Sequence, residues 1–142
     1  IDDWQYMSSF EYFDRANEKG YDKFTQIASN LAQVAKMPKD LRDNLYVFFL
    51  THSEDSTDIN GNRRVKAKTI GKMIDNALTL EGLFSIVLFG KVKKTEDDTL
   101  EYVFETKNNG ENTCKSPMGM FEDDNIPNDL SYVRDCIVKY EE

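Results

Sequence analysis

Apolar residues recur at intervals of three and four over the first part of the chain, which is the spacing of a helix with one apolar face. A first helix is predicted from the positions Tyr6, Met7, Phe10, Phe13 and Ala16. Gly20 ends this helix, and a second stripe over residues 24–35 predicts another, with Asp22 as its cap and Pro38 beyond its end. A last stripe, over Leu130–Tyr140, predicts a C-terminal helix.

Two runs of consecutive apolar residues, Leu45–Thr51 and Leu83–Phe89, are rich in β-formers and bounded by polar segments. This pattern fits strands buried on both faces. A short helix is predicted over Ile70–Ala77 between them, and the alternating segment Leu100–Thr106 predicts a strand that forms an antiparallel hairpin with the preceding one. Helices that alternate with apolar strands favour an α/β fold with a mostly parallel sheet, in a single domain spanning residues 1–142.

The charge balance limits the kinds of partner. The chain has 18 Lys and Arg against 26 Asp and Glu, a formal net charge of −8, which weighs against a protein that binds nucleic acid over its whole surface. One basic strip stands out against this background: Arg63, Arg64, Lys66, Lys68 and Lys72. No apolar run is long enough to cross a membrane. Cys114 and Cys136 lack metal-ligand spacing, and two reduced thiols in the cytoplasm are expected.

The best candidates for chemistry follow predicted strands. If Ile1–Asp3 is the end of a strand, then Asp2 and Asp3 lie at the edge where α/β sheets bind ligands, and carboxylates are ligands that Mg²⁺ prefers. His52, the one histidine, follows the next predicted strand, where it could sense a bound phosphate. The alternatives are a frayed acidic N-terminus and a surface histidine in a loop.

Lysines in two loops are further candidates. Gly71 and Lys72 look like part of a phosphate-binding loop, but the full G-x-x-x-x-G-K-[ST] pattern is missing, so this segment is rejected as a nucleotide cradle. Lys68 and Lys72 could instead reach a phosphate in a neighbouring subunit or a DNA backbone, or belong to a solvated charge run. Lys115 lies in a polar loop over residues 112–120 that suits close approach to a ligand.

Aromatic residues near the N-terminus allow base stacking as well. The candidates are Trp4, Tyr6, Tyr12 and Tyr21. Their helical spacing favours the alternative, in which they form part of the core.

The order of several short segments carries a family resemblance. These segments are Ile1–Asp3, Tyr21–Phe24, Phe49–Glu54, Lys68–Lys72, Leu80–Phe84, Cys114–Phe121 and Ile126–Leu130. Together they resemble the C-terminal half of phage-encoded, RecA-like P-loop ATPases, over nearly the whole chain. The resemblance implies a partial RecA-like sheet, mostly parallel and flanked by helices.

The resemblance also implies roles for individual residues. Asp2 would be the Walker B acid on Mg²⁺, Asp3 its acidic neighbour and His52 the sensor. Basic contacts to nucleotide or DNA would come from Lys68, Lys72 and Lys115. The family is associated with ATP hydrolysis and with single-stranded DNA, which the basic strip Arg63, Arg64, Lys66 and Lys68 could contact. Host-cell cytoplasm would be the compartment for a phage-encoded chain.

The family's glycine-rich phosphate loop would precede Ile1, and no GKT or GKS occurs in these residues. The chain alone is therefore expected to lack appreciable ATPase activity and tight binding of ATP. It is also expected to cover the missing strands by forming a homo-oligomer or by pairing with a partner protein. The alternative is a non-catalytic acidic phage protein, derived from such an ATPase, that inhibits a host nucleic-acid-handling complex in the manner of an anti-CRISPR protein.

Overall fold

The computed structural model describes residues 1–72 and 79–142. Most of the helix predicted over Ile70–Ala77 lies outside the described residues. The chain divides into two compact units. The first unit comprises Ile1–Asp55 and Lys66–Leu83, and the second comprises Ser56–Val65 and Phe84–Glu142. A single domain over residues 1–142 stays a prediction.

The first unit is mainly helical. Helix α1 spans Gln5–Asp14 and helix α2 spans Asp22–Lys36, followed by a 3₁₀ turn at Met37–Asp40. Both predicted helices are therefore confirmed. The core of this unit lies on α2, where the predicted stripe is buried at Ile27, Ala28, Leu31 and Ala35. Asp22 lies within the first turn of α2, and Tyr21 occupies the cap position without a side-chain capping bond.

The stripe predicted as the buried face of α1 is exposed. Phe10 and Phe13 are 64% and 68% exposed, whereas Gln5 and Ser8 are buried on the other side of the helix. Trp4 is buried just before α1 and packs edge-on against Phe49, with 4.9 Å between ring centroids. This anchor sets the rotation of the helix, so that its small and polar residues face inward.

A mostly parallel, RecA-like sheet is wrong for this structure. The described residues contain two small antiparallel sheets of two and three strands. The first is formed by β1 (Ser53–Thr57) and β2 (Arg63–Ala67). The second has the order β3–β4–β5, with β3 at Phe89–Lys94, β4 at Leu100–Glu105 and β5 at Asn125–Pro127.

The two apolar runs do not form the predicted central strands. Residues 45–52 belong to no helix or strand, and residues 2–4 form a turn rather than a strand end. The backbone of the first run bonds to this turn: Leu50 N–H donates to the carbonyl of Ile1 (2.8 Å), and Trp4 N–H donates to that of Leu50 (3.1 Å). In the second run, Leu83 ends a 3₁₀ turn over Leu80–Leu83, Val87 forms an isolated bridge with Lys115, and Phe89 begins strand β3. An apolar run signals burial, but it does not specify which backbone will satisfy its hydrogen bonds.

The predicted C-terminal hairpin is confirmed. Strands β3 and β4 pair antiparallel, with Phe89 opposite Glu105 and Lys94 opposite Leu100. Helix α3 (Leu130–Glu141) completes the second unit and begins where the sequence predicts it. Its N-cap is Asp129, whose carboxylate accepts a bond from the backbone N–H of Ser131 (2.7 Å). Within the described ranges 1–72 and 79–142, no helix is long and apolar enough to span a membrane.

Candidate functional site

The N-terminal turn holds Asp3 in an unusual backbone conformation. Its φ angle is 50°, in the left-handed region that aspartate tolerates better than most residues. The carbonyl of Asp3 accepts a hydrogen bond from the backbone N–H of Tyr6 (2.9 Å), which lies in the first turn of helix α1. The turn therefore fixes the direction of the Asp3 side chain at the beginning of the helix.

His52 lies at the end of the segment over residues 45–52 and contacts this aspartate. Its Nε2 atom lies 3.0 Å from Oδ1 of Asp3, and both side chains remain more than half exposed. The ring of Tyr6 lies edge-on to the imidazole at 6.2 Å. The backbone carbonyl of His52 accepts the N–H of Lys68 (2.8 Å). Two of the three residues predicted to be catalytic are therefore in contact.

A buried glutamine, Gln5, bonds both to Asp3 and to the residue that precedes His52. Gln5 is 5% exposed. Its side-chain amide donates to Oδ1 of Asp3 (3.4 Å), and its Oε1 accepts the hydroxyl of Thr51 (2.8 Å). Gln5 thus links the residue next to His52 with the aspartate that contacts His52. Sequence reasoning missed Gln5, because one glutamine between two aromatic residues carries no recognisable pattern.

We call Asp2, Asp3, Gln5, Thr51 and His52 the acid–histidine site. Asp2 is exposed on the same turn as Asp3. The described residues contain no group of three or more Asp, Glu, His or Cys side chains arranged to hold a metal ion. Mg²⁺ in nucleotide sites commonly takes one or two protein carboxylates and completes its shell with water and phosphate oxygens. The donor chemistry of Asp2 and Asp3 fits that limited role.

The candidate lysines fall into both units. Lys68 is exposed and joins the acid–histidine site through its backbone, and Lys72 is exposed in the same unit. Lys115 belongs to the second unit, where its backbone exchanges two hydrogen bonds with Val87. Beside it, burial of Cys114 raises the pKa of the thiol to about 11. A thiol with so high a pKa is a poor nucleophile at neutral pH.

Most of the basic strip is paired with acids. Arg63 lies 3.3 Å from Glu111, Arg64 lies 3.3 Å from Asp58, and Lys66 lies 3.1 Å from Glu54. Exposed ion pairs add little to stability, but they offset the positive charge that a phosphate backbone would meet. The strip is therefore a weaker candidate for binding single-stranded DNA than its sequence indicates.

Comparison of the chain with known proteins identified no matching family, no similar curated protein and no similar solved structure. The geometry of the acid–histidine site is therefore the starting point for a functional proposal.

Proposed function

We propose that the acid–histidine site is one half of an ATP-hydrolysing site, of the kind implied by the resemblance to phage RecA-like ATPases. The observation that carries the proposal is the 3.0 Å contact between Asp3 and His52. These residues are distant in sequence, and the sequence assigned both to one site, from their places after predicted strands and from the family resemblance. The proposal rests on this constellation and not on a parallel sheet, which the described residues do not form.

Each residue has a definite task in such a site. Asp2 would hold Mg²⁺, which prefers hard oxygen ligands and supplies charge compensation to transferring phosphates. Asp3 would orient the attacking water as its acidic neighbour. His52 can donate from Nε2, so it would exchange its bond to Asp3 for one to the γ-phosphate. Gln5 would position Asp3 through the bond it makes in this structure.

A phosphate cradle must come from outside these 142 residues, because no G-x-x-x-x-G-K-[ST] pattern occurs in them. The cradle could belong to another segment of the same polypeptide or to a second protein. Contact with DNA, and the parent family's activity in recombination or replication, would then depend on the completed site. Lys68 is the lysine best placed to approach a nucleotide, because its backbone bonds directly to His52.

The test begins with the reading frame upstream of the codon for Ile1. We expect an in-frame segment that contains a phosphate-binding loop, and the product of that frame should hydrolyse ATP. Asp2→Asn and His52→Ala should each lower kcat by about 10²-fold or more, as removal of one charge-stabilising group typically does. Asp97→Asn changes an exposed acid in the second unit and serves as the charge-matched control.

Two results would contradict this proposal. One is a start codon directly before Ile1 with no partner that supplies a phosphate loop. The other is full hydrolytic activity of the Asp2→Asn and His52→Ala variants. Micromolar binding of MgATP by the 142 residues alone would contradict the requirement for an external cradle.

A second candidate function is non-catalytic inhibition of a host nucleic-acid-handling complex. The charge distribution favours it: the chain has a formal net charge of −8, and three of the five cations of the basic strip, Arg63, Arg64 and Lys66, are each paired with an acid, so the molecule could occupy a basic groove. The chain should then inhibit DNA cleavage by a host CRISPR effector complex, and inhibition should weaken as salt is raised. Cleavage that proceeds unchanged at low salt would rule this candidate out.

A further inference from the structure

Helix α1 presents an aromatic row to solvent. Tyr6, Phe10 and Phe13 are 45%, 64% and 68% exposed. Their spacing of four and three residues places them on one face of the helix. The rings of Tyr6 and Phe10 stack with 6.0 Å between centroids. We call these three residues the α1 aromatic face; large apolar groups exposed together in this way mark interaction surfaces.

The segment that carries this face is acidic, although Lys23 of α2 lies over the neighbouring ring of Tyr12, 5.1 Å from its centroid. Residues 1–14 contain Asp2, Asp3, Glu11 and Asp14 and no lysine or arginine. The first cation beyond them, Arg15, is already held by Glu11 (3.0 Å) and Glu18 (2.7 Å). The hydrogen bonds that Arg15 donates to Glu18 and Glu11 also raise the pKa of its guanidinium. An occupant of the face therefore meets apolar rings and the exposed carboxylates of Asp2 and Asp14.

From this complementarity we propose that the α1 aromatic face docks a basic amphipathic helix of a partner protein. The apolar side of such a helix would cover the three rings, and its lysines or arginines would lie against Asp2 and Asp14. Three anchors over two turns match the way one helix packs its ridges into another. The inference goes beyond both functions proposed above, because it names the chemistry of a partner and the face that binds it.

The face is continuous with the acid–histidine site. Tyr6 belongs to the aromatic row and also contacts the imidazole of His52 edge-on. A helix that covers Tyr6 would therefore also exclude water from one side of His52. Docking and hydrolysis remain separable, however, because Phe10 and Phe13 belong to the row and not to the acid–histidine site.

The test uses a fluorescein-labelled amphipathic helix of leucine and lysine, about 18 residues long, as the probe. Its affinity for the full chain is measured by fluorescence anisotropy. A peptide of the same pattern with glutamate in place of lysine tests the charge requirement. The double variant Phe10→Gln, Phe13→Gln keeps both the charge and good helix formers. Tyr21→Gln removes another exposed aromatic side chain, which lies off α1, and serves as the matched control.

We expect the double variant to bind the lysine peptide at least about tenfold more weakly, a loss of about 1.4 kcal/mol. The control Tyr21→Gln should bind like the wild type, and the glutamate peptide should not bind. Circular dichroism checks that α1 remains folded, and Asp2→Asn with Asp14→Asn supplies a second variant that should weaken binding without touching a ring.

Three results would overturn the inference. Equal binding by the wild type and the double variant would show that general acidity attracts the peptide. Equal binding of the glutamate peptide would remove the charge argument. Self-association in sedimentation velocity that the double variant abolishes would show that a second copy of this chain covers the face.

Discussion

Nε2 of His52 and Oδ1 of Asp3 lie 3.0 Å apart, and the residues that hold them there come from two separate segments. Asp3 lies in the turn over residues 2–4, and His52 ends the segment over residues 45–52. Backbone bonds between Leu50 and the residues Ile1 and Trp4 tie these segments together. The pair is therefore a product of tertiary structure, and its stability can be tested through the residues that support it.

Gln5→Leu should destabilise the first unit. The substitution keeps a similar size but leaves the hydroxyl of Thr51 without its buried partner. Thr51 is exposed, so water can replace this partner, and loss of one such hydrogen bond costs about 0.5–1.5 kcal/mol, to be measured as the free energy of unfolding in urea. Gln33→Leu replaces an exposed glutamine of α2 and should change it by less than about 0.5 kcal/mol. Equal effects at both positions would argue against a supporting role for Gln5.

Asp58 should make stability depend on pH in the acid range. Hydrogen bonds from the backbone and side chain of Asn62 lower its pKa from 3.8 to about 2. Because the pKa is lower in the folded state, the stabilisation is fully present above about pH 4 and is lost as the pH falls towards 2. Urea midpoints measured between pH 5 and pH 2 should fall less steeply for Asp58→Ala. A variant with the same slope as the wild type would contradict this assignment.

Cys114 should be nearly inert to thiol reagents. Burial, with the nearby charge of Glu105, raises its pKa to about 11, so about one molecule in a thousand carries the thiolate at pH 8. Cys136 is only partly buried and should react first with Ellman's reagent. Cys136→Ser should therefore remove the fast phase, and Cys114→Ser should retain it. A fast phase that survives in Cys136→Ser would show that Cys114 is accessible.

Asp129→Ala should weaken the start of helix α3. The carboxylate of Asp129 accepts the backbone N–H of Ser131, and loss of such a cap costs about 0.5–2 kcal/mol. Thermal unfolding followed by circular dichroism measures the effect. Asp97→Ala removes an exposed acid between β3 and β4 and should leave the melting temperature nearly unchanged. Equal melting temperatures for the two variants would show that the cap adds nothing measurable to stability.

Local patterns predicted the helices and the hairpin better than they predicted the sheet. Helix α2 carries its own apolar stripe, and the alternation over Leu100–Thr106 matches the strand that pairs with β3. The run Leu45–Thr51 has strong β-formers, but its partner is the N-terminal turn, a choice made by distant residues. Periodicity reports which residues favour burial, whereas strand pairing depends on which backbone arrives beside them.

The sequence identified two residues that lie in contact, Asp3 and His52, but not the residue that supports them, and the chemical roles assigned to the pair stay predictions. Asp3 and His52 were identified from their places after apolar segments, although the expected strands are absent. Gln5 gave no signal, because its importance comes from being buried between Asp3 and Thr51. For the same reason the helical spacing of Tyr6 and Phe10 suggested a core, while the anchoring of Trp4 turned those rings outward.

Strand β3 forms one border of the three-stranded sheet, with β4 as its neighbour in that sheet. A bordering strand can recruit strands from other molecules and so seed aggregates. Lys91, Lys93 and Lys94 occupy half of the positions in β3, and lysine is a residue that proteins use to block such recruitment. These lysines therefore oppose pairing of β3 with strands of other molecules. Neutralising Lys93 and Lys94 would leave the native contacts of the core intact, and it would shorten the time for which concentrated solutions stay clear.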